Sequence, residues 1–179
     1  MGVKKMDGKD KKLNKFEKLE EYKKWINDQD WYQTIHLKNG VVTSGKLNTE
    51  KRIKWFNQFD FYNKSVLDIG CNSGQYCFHA KKAGARNVVG IDVDEKRIYQ
   101  AGMLAINEEI DVDFHLAGIE KVSEFGKFDI VICIAVVTEV ENVLGALRAI
   151  RNATNKTVIL EMDLARPLFY LSTNKHWWK

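Results

Sequence analysis

VLDIGCNSGQYC, residues 66–77, is the stretch on which the reading of this chain turns. Apolar-leaning residues run into a turn carrying Gly70 and Gly74, and a helical pattern follows. Glycine at both positions lets the backbone bend sharply and approach a ligand with no β-carbon in the way, while the helix start beyond offers free N–H groups. Asp68, at the end of the strand, is placed to accept a hydrogen bond from an ammonium or a hydroxyl.

Downstream, apolar runs and helical patterns alternate. Strands are expected at 65–69, 87–92, 112–116, 128–135 and 157–162, with helices at 74–83, 95–107 and 140–152. Strands this uninterruptedly apolar imply a parallel sheet buried on both faces. Right-handed crossovers then make the fold class α/β, a doubly wound and mainly parallel sheet. Upstream, Leu13, Phe16, Leu19, Tyr22, Trp25 and Ile26 recur at helical spacing and predict an amphipathic helix over 11–27. Asn39-Gly40 marks a turn, hence a short hairpin or extended pair ending at Gly45, and Asn48-Thr49-Glu50 opens a helix over 51–59. Residues 1–62 are thus expected as a helical and hairpin extension, and 63–179 as the ligand-binding core.

The net charge of +4 is located by one count: the first 24 residues carry nine lysines against five acids, an excess equal to the whole-chain value. Such an arm fits either a solvated helix face or contact with nucleic-acid phosphates. Cys71, Cys77 and Cys133 lack paired spacing, and the four histidines are scattered, so neither a disulfide framework nor a metal site is expected. No apolar run approaches the roughly 20 residues that span a bilayer, and no signal peptide follows the N-terminal lysines, so the expected location is cytoplasmic.

The second predicted strand ends in VVGIDVD, about twenty residues beyond the first turn, where an acid such as Asp92 grips the two hydroxyls of a ribose. Turn and acid together point to a nucleoside site, and Asn72 between the glycines departs from the three-glycine dinucleotide fingerprint. VLDIGCNSG and VVGIDVD resemble the first two motifs of the class I S-adenosylmethionine-dependent methyltransferases, whose fold is Rossmann-like. DWYQTIHLKNGVVTSG, VLDIGCNSGQY, AGARNVVGID, AGIEKV, FDIVIC and TVILEM, across residues 30–163, are similar in order and spacing to the branch of tRNA wobble-uridine methyl- and carboxymethyltransferases.

That resemblance implies S-adenosylmethionine as cofactor, with Asp68, Gly70, Asn72 and Gly74 around its methionine half and Asp92 on its ribose. Cys71 and Val93 fall in the same two loops, and Ile119 and Glu120 match the adenine-side segment. Trp31 and Tyr32 are expected either to close over the cofactor or to anchor the N-terminal helix. Methyl transfer from a sulfonium needs mainly positioning and desolvation, so no catalytic residue is assigned.

Two departures bear on the substrate. Where the tRNA-modifying relatives carry a tyrosine-histidine pair, this chain has Thr138-Glu139, which favours ordinary S-adenosylmethionine over a carboxylated form; Glu139 is a substrate contact or the N-terminal acid of the next helix. Only residues 163–179 follow the last predicted strand, so the last two strands of the complete fold are expected to be lacking. Phe169, Tyr170, Trp177 and Trp178 then need cover: the chain is expected to be a naturally short form, to lack a C-terminal part, or to bury this tail against an oligomer or partner. The expected function is a methyltransferase acting on RNA, with tRNA favoured. The alternatives are a small-molecule, lipid or sugar methyltransferase, or a non-catalytic S-adenosylmethionine-binding module.

Overall fold

The computed structural model describes residues 13 and 15–162 and the backbone of Lys4–Lys5. In chain order the elements are β1 (Lys4–Lys5), α1 (Leu19–Asn27), β2 (Gln33–Thr34), β3 (Leu47–Asn48), α2 (Glu50–Phe56), β4 (Ser65–Ile69), α3 (Gln75–Lys82), β5 (Asn87–Asp92), α4 (Glu95–Glu108), β6 (Asp113–Leu116), β7 (Phe128–Ile134), α5 (Val143–Ala153) and β8 (Thr154–Glu161). The main sheet runs β1-β6-β5-β4-β7-β8, parallel throughout except for β1. From central β4 the chain winds out through β5 and β6, then crosses to β7 and β8, so the winding reverses between β4 and β7.

Why these runs are strands is visible in their alternation. Val66, Val88, Ile130 and Ile132 face one core with α1, α3 and α4, whereas Leu67, Val89, Val131 and Cys133 face a second core with α5 and the 3-10 segment Ile119–Phe125. Two covered faces demand apolar residues at successive positions, and the doubly wound reading holds. Asp94 caps α4 by accepting from the backbone N–H of Lys96 and Arg97 at 2.8 and 3.4 Å, which sets its start.

Upstream the outcome differs. The helix expected over 11–27 begins only at Leu19, because Lys18 is extended and the Phe16 N–H donates to Asn107 Oδ1 on α4 at 2.9 Å, pulling the chain across that helix. The hairpin shrinks to one antiparallel bridge, His36 to Val42, across a turn in which Asn39 and Gly40 both have positive φ. Thr43 replaces the next rungs: its hydroxyl accepts from the Ile35 N–H and donates to the Gln33 carbonyl, both at 2.7 Å. The chain then doubles back so that β2 and β3 pair parallel. Helix α2 ends at Phe56 rather than at residue 59, and α5 opens at Val143 rather than 140, after a separate 3-10 turn, Val137–Glu139. Strand β8 starts three residues earlier than expected, and its register shifts there by one extra residue on β8, Thr154 facing Phe128 and Thr157 facing Ile130. The basic stretch before residue 13, apart from the β1 backbone, and the aromatic residues Phe169, Tyr170, Trp177 and Trp178 lie outside the described residues, as does the question of strands beyond β8. Among the described residues no helix is long and apolar enough to cross a membrane.

Candidate functional site

A cavity of about 310 Å³ opens beyond the carboxyl ends of β4, β5, β6 and β7, where the winding reverses. Its floor is the turn after β4. The backbone N–H groups of Gly70 and Cys71 both donate to the Ile91 carbonyl, at 2.8 and 2.9 Å, folding the turn against β5. Gly70 has φ +73, and a β-carbon there would lie 2.2 Å from Val136 Cγ2. Gly74, at φ +89, would meet Phe114 Cζ at 2.8 Å. Between them Asn72 adopts φ 52, a left-handed conformation that asparagine tolerates better than most side chains.

This conformation aims the Asn72 N–H at Asp92 Oδ2, 2.8 Å away, while Asp92 Oδ1 accepts from the Asp94 N–H at 2.9 Å. Both carboxylate oxygens are oriented by main-chain donors and keep lone pairs for a ligand in the cavity that Asp92 lines. Burial raises the Asp92 pKa, and the backbone donors from Asp94 and Asn72 act against that rise. Val93 and Ile119 add apolar wall, with Ala117 and Gly118 beside them.

The opposite wall comes partly from the N-terminal extension: Tyr32, Gln33, Leu47 and Arg52. Arg52 is the one cation among the described lining residues, and its guanidinium is forked onto Glu161 at the end of β8, Nε to Oε2 at 2.8 Å and Nη2 to Oε1. Tyr76 lines the cavity too. It is 4 % exposed, its hydroxyl lies buried beside the Arg52 guanidinium, and burial pushes its pKa up to about 12 against the pull of that cation. At the end of β7, Ala135 has φ 57, an uncommon state for a residue with a β-carbon.

The residues expected from sequence therefore divide. Gly70, Asn72, Asp92, Val93, Ile119, Tyr32 and Glu139 line the cavity; Asp68, Cys71, Gly74, Glu120 and Trp31 do not. Asp68 points from β4 toward α3, is 1 % exposed, and accepts from the Cys77 thiol at 3.3 Å. Burial, with a smaller contribution from Asp92, lifts its pKa to about 7 despite that hydrogen bond. Cys71 is fully buried, its thiol pushed by burial up to about 11. Gly74 acts through the turn instead, and Glu120 is exposed in the 3-10 segment. Trp31 and Tyr32 separate: Trp31 is buried, donates through Nε1 to the Ile26 carbonyl at 2.8 Å and packs edge-on against Trp25, whereas Tyr32 is half-exposed in the cavity wall. Glu139 ends the 3-10 turn four residues before α5, so it is not that helix's first-turn acid.

Sequence reasoning missed Gln33, Leu47, Arg52, Tyr76 and the 134–136 segment. Tyr76 lies two residues after Gly74, but nothing in its neighbours along the chain marked it as lining a cavity. Among the described residues no group of three or more His, Cys, Asp or Glu could hold a metal ion.

A family model described as a methyltransferase domain matches residues 60–176. A tRNA U34 carboxymethyltransferase of Campylobacter hominis is 31% identical over 97 residues, 54% of this chain and 34% of that protein. A ribosomal protein L11 methyltransferase of Burkholderia lata is 34% identical over 90 residues, 50% of this chain and 29% of that one. The chain thus spans about a third of the length of these curated relatives. The solved magnesium protoporphyrin IX methyltransferase of Synechocystis with bound SAM superposes with a TM-score of 0.53 at 22% identity, covering 60% of this chain and 53% of that one.

Proposed function

Because the chain belongs to the methyltransferase-domain family, we propose that this cavity binds S-adenosylmethionine and that the protein transfers its methyl group to RNA, with tRNA the favoured acceptor, in the cytoplasm. The observation that carries the cofactor reading is the polarity of the cavity. At one end Asp92 presents two oriented oxygens, suited to a vicinal diol. At the other, the Arg52 guanidinium, with the Tyr76 hydroxyl beside it, presents donors suited to an amino-acid carboxylate. The residues fit the group: Gly70 holds its positive-φ turn under Val136 and still lines the cavity, and Val93 and Ile119 give an apolar wall for a base.

When bound, the cofactor supplies a methyl carbon already activated by the adjacent sulfonium. The chain's own part is to hold the ligand by Asp92, orient its far end by Arg52 and Tyr76, and exclude water with the Tyr32 and Leu47 wall. Neither His nor Lys is among the described lining residues, so Glu139 is the group available to take a proton from an acceptor. Thr138 is exposed and off the cavity lining, in keeping with the ordinary rather than a carboxylated cofactor.

The RNA reading draws on the tRNA-modifying relatives and on α2. Lys51, Lys54 and Trp55 are exposed on α2, the helix that delivers Arg52 to the cavity, and Lys46 is exposed just before β3. Cations interleaved with an exposed aromatic suit a single-stranded backbone and its bases. By contrast Lys18 and Lys23 near and on α1 pair with Glu21 and Glu20. The test is mass spectrometry of ligand carried through purification, together with transfer of labelled methyl from S-adenosylmethionine into bulk tRNA and into an RNA-free metabolite extract. Label in tRNA supports the proposal, label only in the metabolite extract overturns the RNA half, and a protein that neither carries nor binds the cofactor overturns the whole.

A further inference from the structure

Gln100 sits on α4, fully buried and outside the cavity lining, among the apolar residues Ile98, Ala101 and Leu104 of the same helix. An apolar side chain would pack there without the cost of desolvating an amide. What the amide does is join two segments that share no secondary structure. Its Nε2 donates to the Asp30 carbonyl at 3.0 Å, and its Oε1 accepts from Ser73 Oγ at 3.1 Å. Arg97 reinforces the Asp30 joint and shares the amide's acceptor, Nη1 donating to the Asp30 carbonyl at 2.6 Å and to Gln100 Oε1 at 3.1 Å.

Each joint leads on to the cavity. On one side Ser73, itself fully buried, donates its N–H to Asn72 Oδ1 at 2.8 Å, and the Asn72 N–H reaches Asp92 Oδ2 at 2.8 Å. On the other side Asp30 runs directly into anchored Trp31 and then Tyr32 and Gln33 of the opposite wall. A second, longer tie crosses in parallel, from the Gln75 N–H to Gln33 Oε1 at 3.4 Å.

We infer that Gln100 is a positioning residue that couples the Asn72–Asp92 turn to the Tyr32 wall, so that a ligand seating on one side orders the other. The inference rests on the proposed placement of the cofactor in this cavity. The amide is suited to the role because it donates to one segment while accepting from the other, which neither a carboxylate nor an apolar side chain of like size does. The buried positions of Gln100 and Ser73 keep water from substituting for either partner.

The test uses the whole chain, with S-adenosylhomocysteine as probe. Gln100→Met keeps volume and removes both of the amide's hydrogen bonds while Arg97 stays on the Asp30 carbonyl, Gln100→Glu keeps the acceptor and removes the donor to Asp30, and Thr154→Val removes a buried hydrogen bond far from the cavity. Amide hydrogen exchange is followed at residues 31–35 and 71–74, and affinity is measured by calorimetry. In the wild type the probe slows exchange in both segments. Gln100→Met is expected to bind about tenfold more weakly and to leave 31–35 unprotected by the probe. Gln100→Glu should loosen 31–35 while 71–74 stays near wild type, and Thr154→Val should lower thermal stability without either effect. Wild-type affinity with full probe-dependent protection of 31–35 in Gln100→Met overturns the coupling. If the wild type binds no probe, the cofactor placement fails instead, and the coupling is decided in the free protein. There, unchanged exchange in both segments of Gln100→Met or, should that variant not fold, unchanged exchange at 31–35 of Gln100→Glu overturns it.

Discussion

Asp68, buried, and Asp92, half-buried, are acids near the same turn, yet their surroundings give them different work. Asp92 has main-chain donors on each oxygen, at 2.8 and 2.9 Å, and faces the cavity. Removing it as Asp92→Ala should weaken S-adenosylhomocysteine binding by about 1–3 kcal/mol, the range for losing a charged hydrogen-bond partner, with calorimetry as the check. Asp68 accepts from the Cys77 thiol, with Cys71, Cys133 and Asp92 also nearby. Burial lifts its pKa to about 7 in the fold, against 3.8 for an ordinary aspartate. The folded chain therefore holds this proton more tightly than the unfolded chain. Its contribution to stability is fully present below the unfolded value and is lost as pH rises through about 7. Thermal unfolding followed across that window should show the wild type losing stability relative to Asp68→Asn as pH rises, and parallel curves would show that Asp68 ionises freely.

At the scale of elements, the extension is held to α4 by a buried carboxylate as well as by Gln100. Glu108 is 1 % exposed and accepts from the Tyr22 hydroxyl at 3.2 Å and the Lys38 N–H at 2.8 Å, binding α1 and the Lys38–Gly40 turn at once. Glu108→Ala leaves both donors unmatched and should cost about 1–3 kcal/mol in denaturant unfolding. Helix α2 has a separate role, carrying Arg52 inward and Lys51, Lys54 and Trp55 outward. Under the RNA proposal, Lys51→Glu and Lys54→Glu should each weaken RNA binding and flatten its salt dependence by about one phosphate contact, seen by titration at several salt concentrations. An unchanged slope would move the RNA to another face.

The whole molecule is one packing problem with two cores, and the extension belongs to the first. Tyr22, Ile26, Trp31, Ile35, Val41 and Phe56 are buried in the same cluster as Val66, Ile98 and Leu104. A chain starting at residue 60 should therefore bind hydrophobic dyes and lose its sharp thermal transition, since each such side chain contributes about 1.5–3 kcal/mol when buried. Sharing of this kind also explains what was legible beforehand. Strands β4 and β5 were readable to the residue because burial on both faces writes itself into consecutive positions. The turn with Gly70, Asn72 and Gly74 was readable because positive φ restricts which residues can stand there. The start of α1 was not, since it depends on Asn107 of α4, nor was Arg52, whose place is set by Glu161. Such residues carry no local mark: their meaning lies in a partner far along the chain.

The separation of Arg52 from Glu161, 109 residues, also gives the cavity a history. During synthesis Arg52 emerges early and waits without its carboxylate while β4 waits for the strands that flank it, β5 and then β7. The Gly70–Asp92 half of the cavity can assemble once β5 has paired, but the Arg52 half is seated only when β8 lies along β7 and the Ala135 N–H has found the Glu161 carbonyl at 3.0 Å. A growing chain thus holds an incomplete cavity until β8 is in place, and under the proposed function ligand capture reports that β8 has joined the sheet.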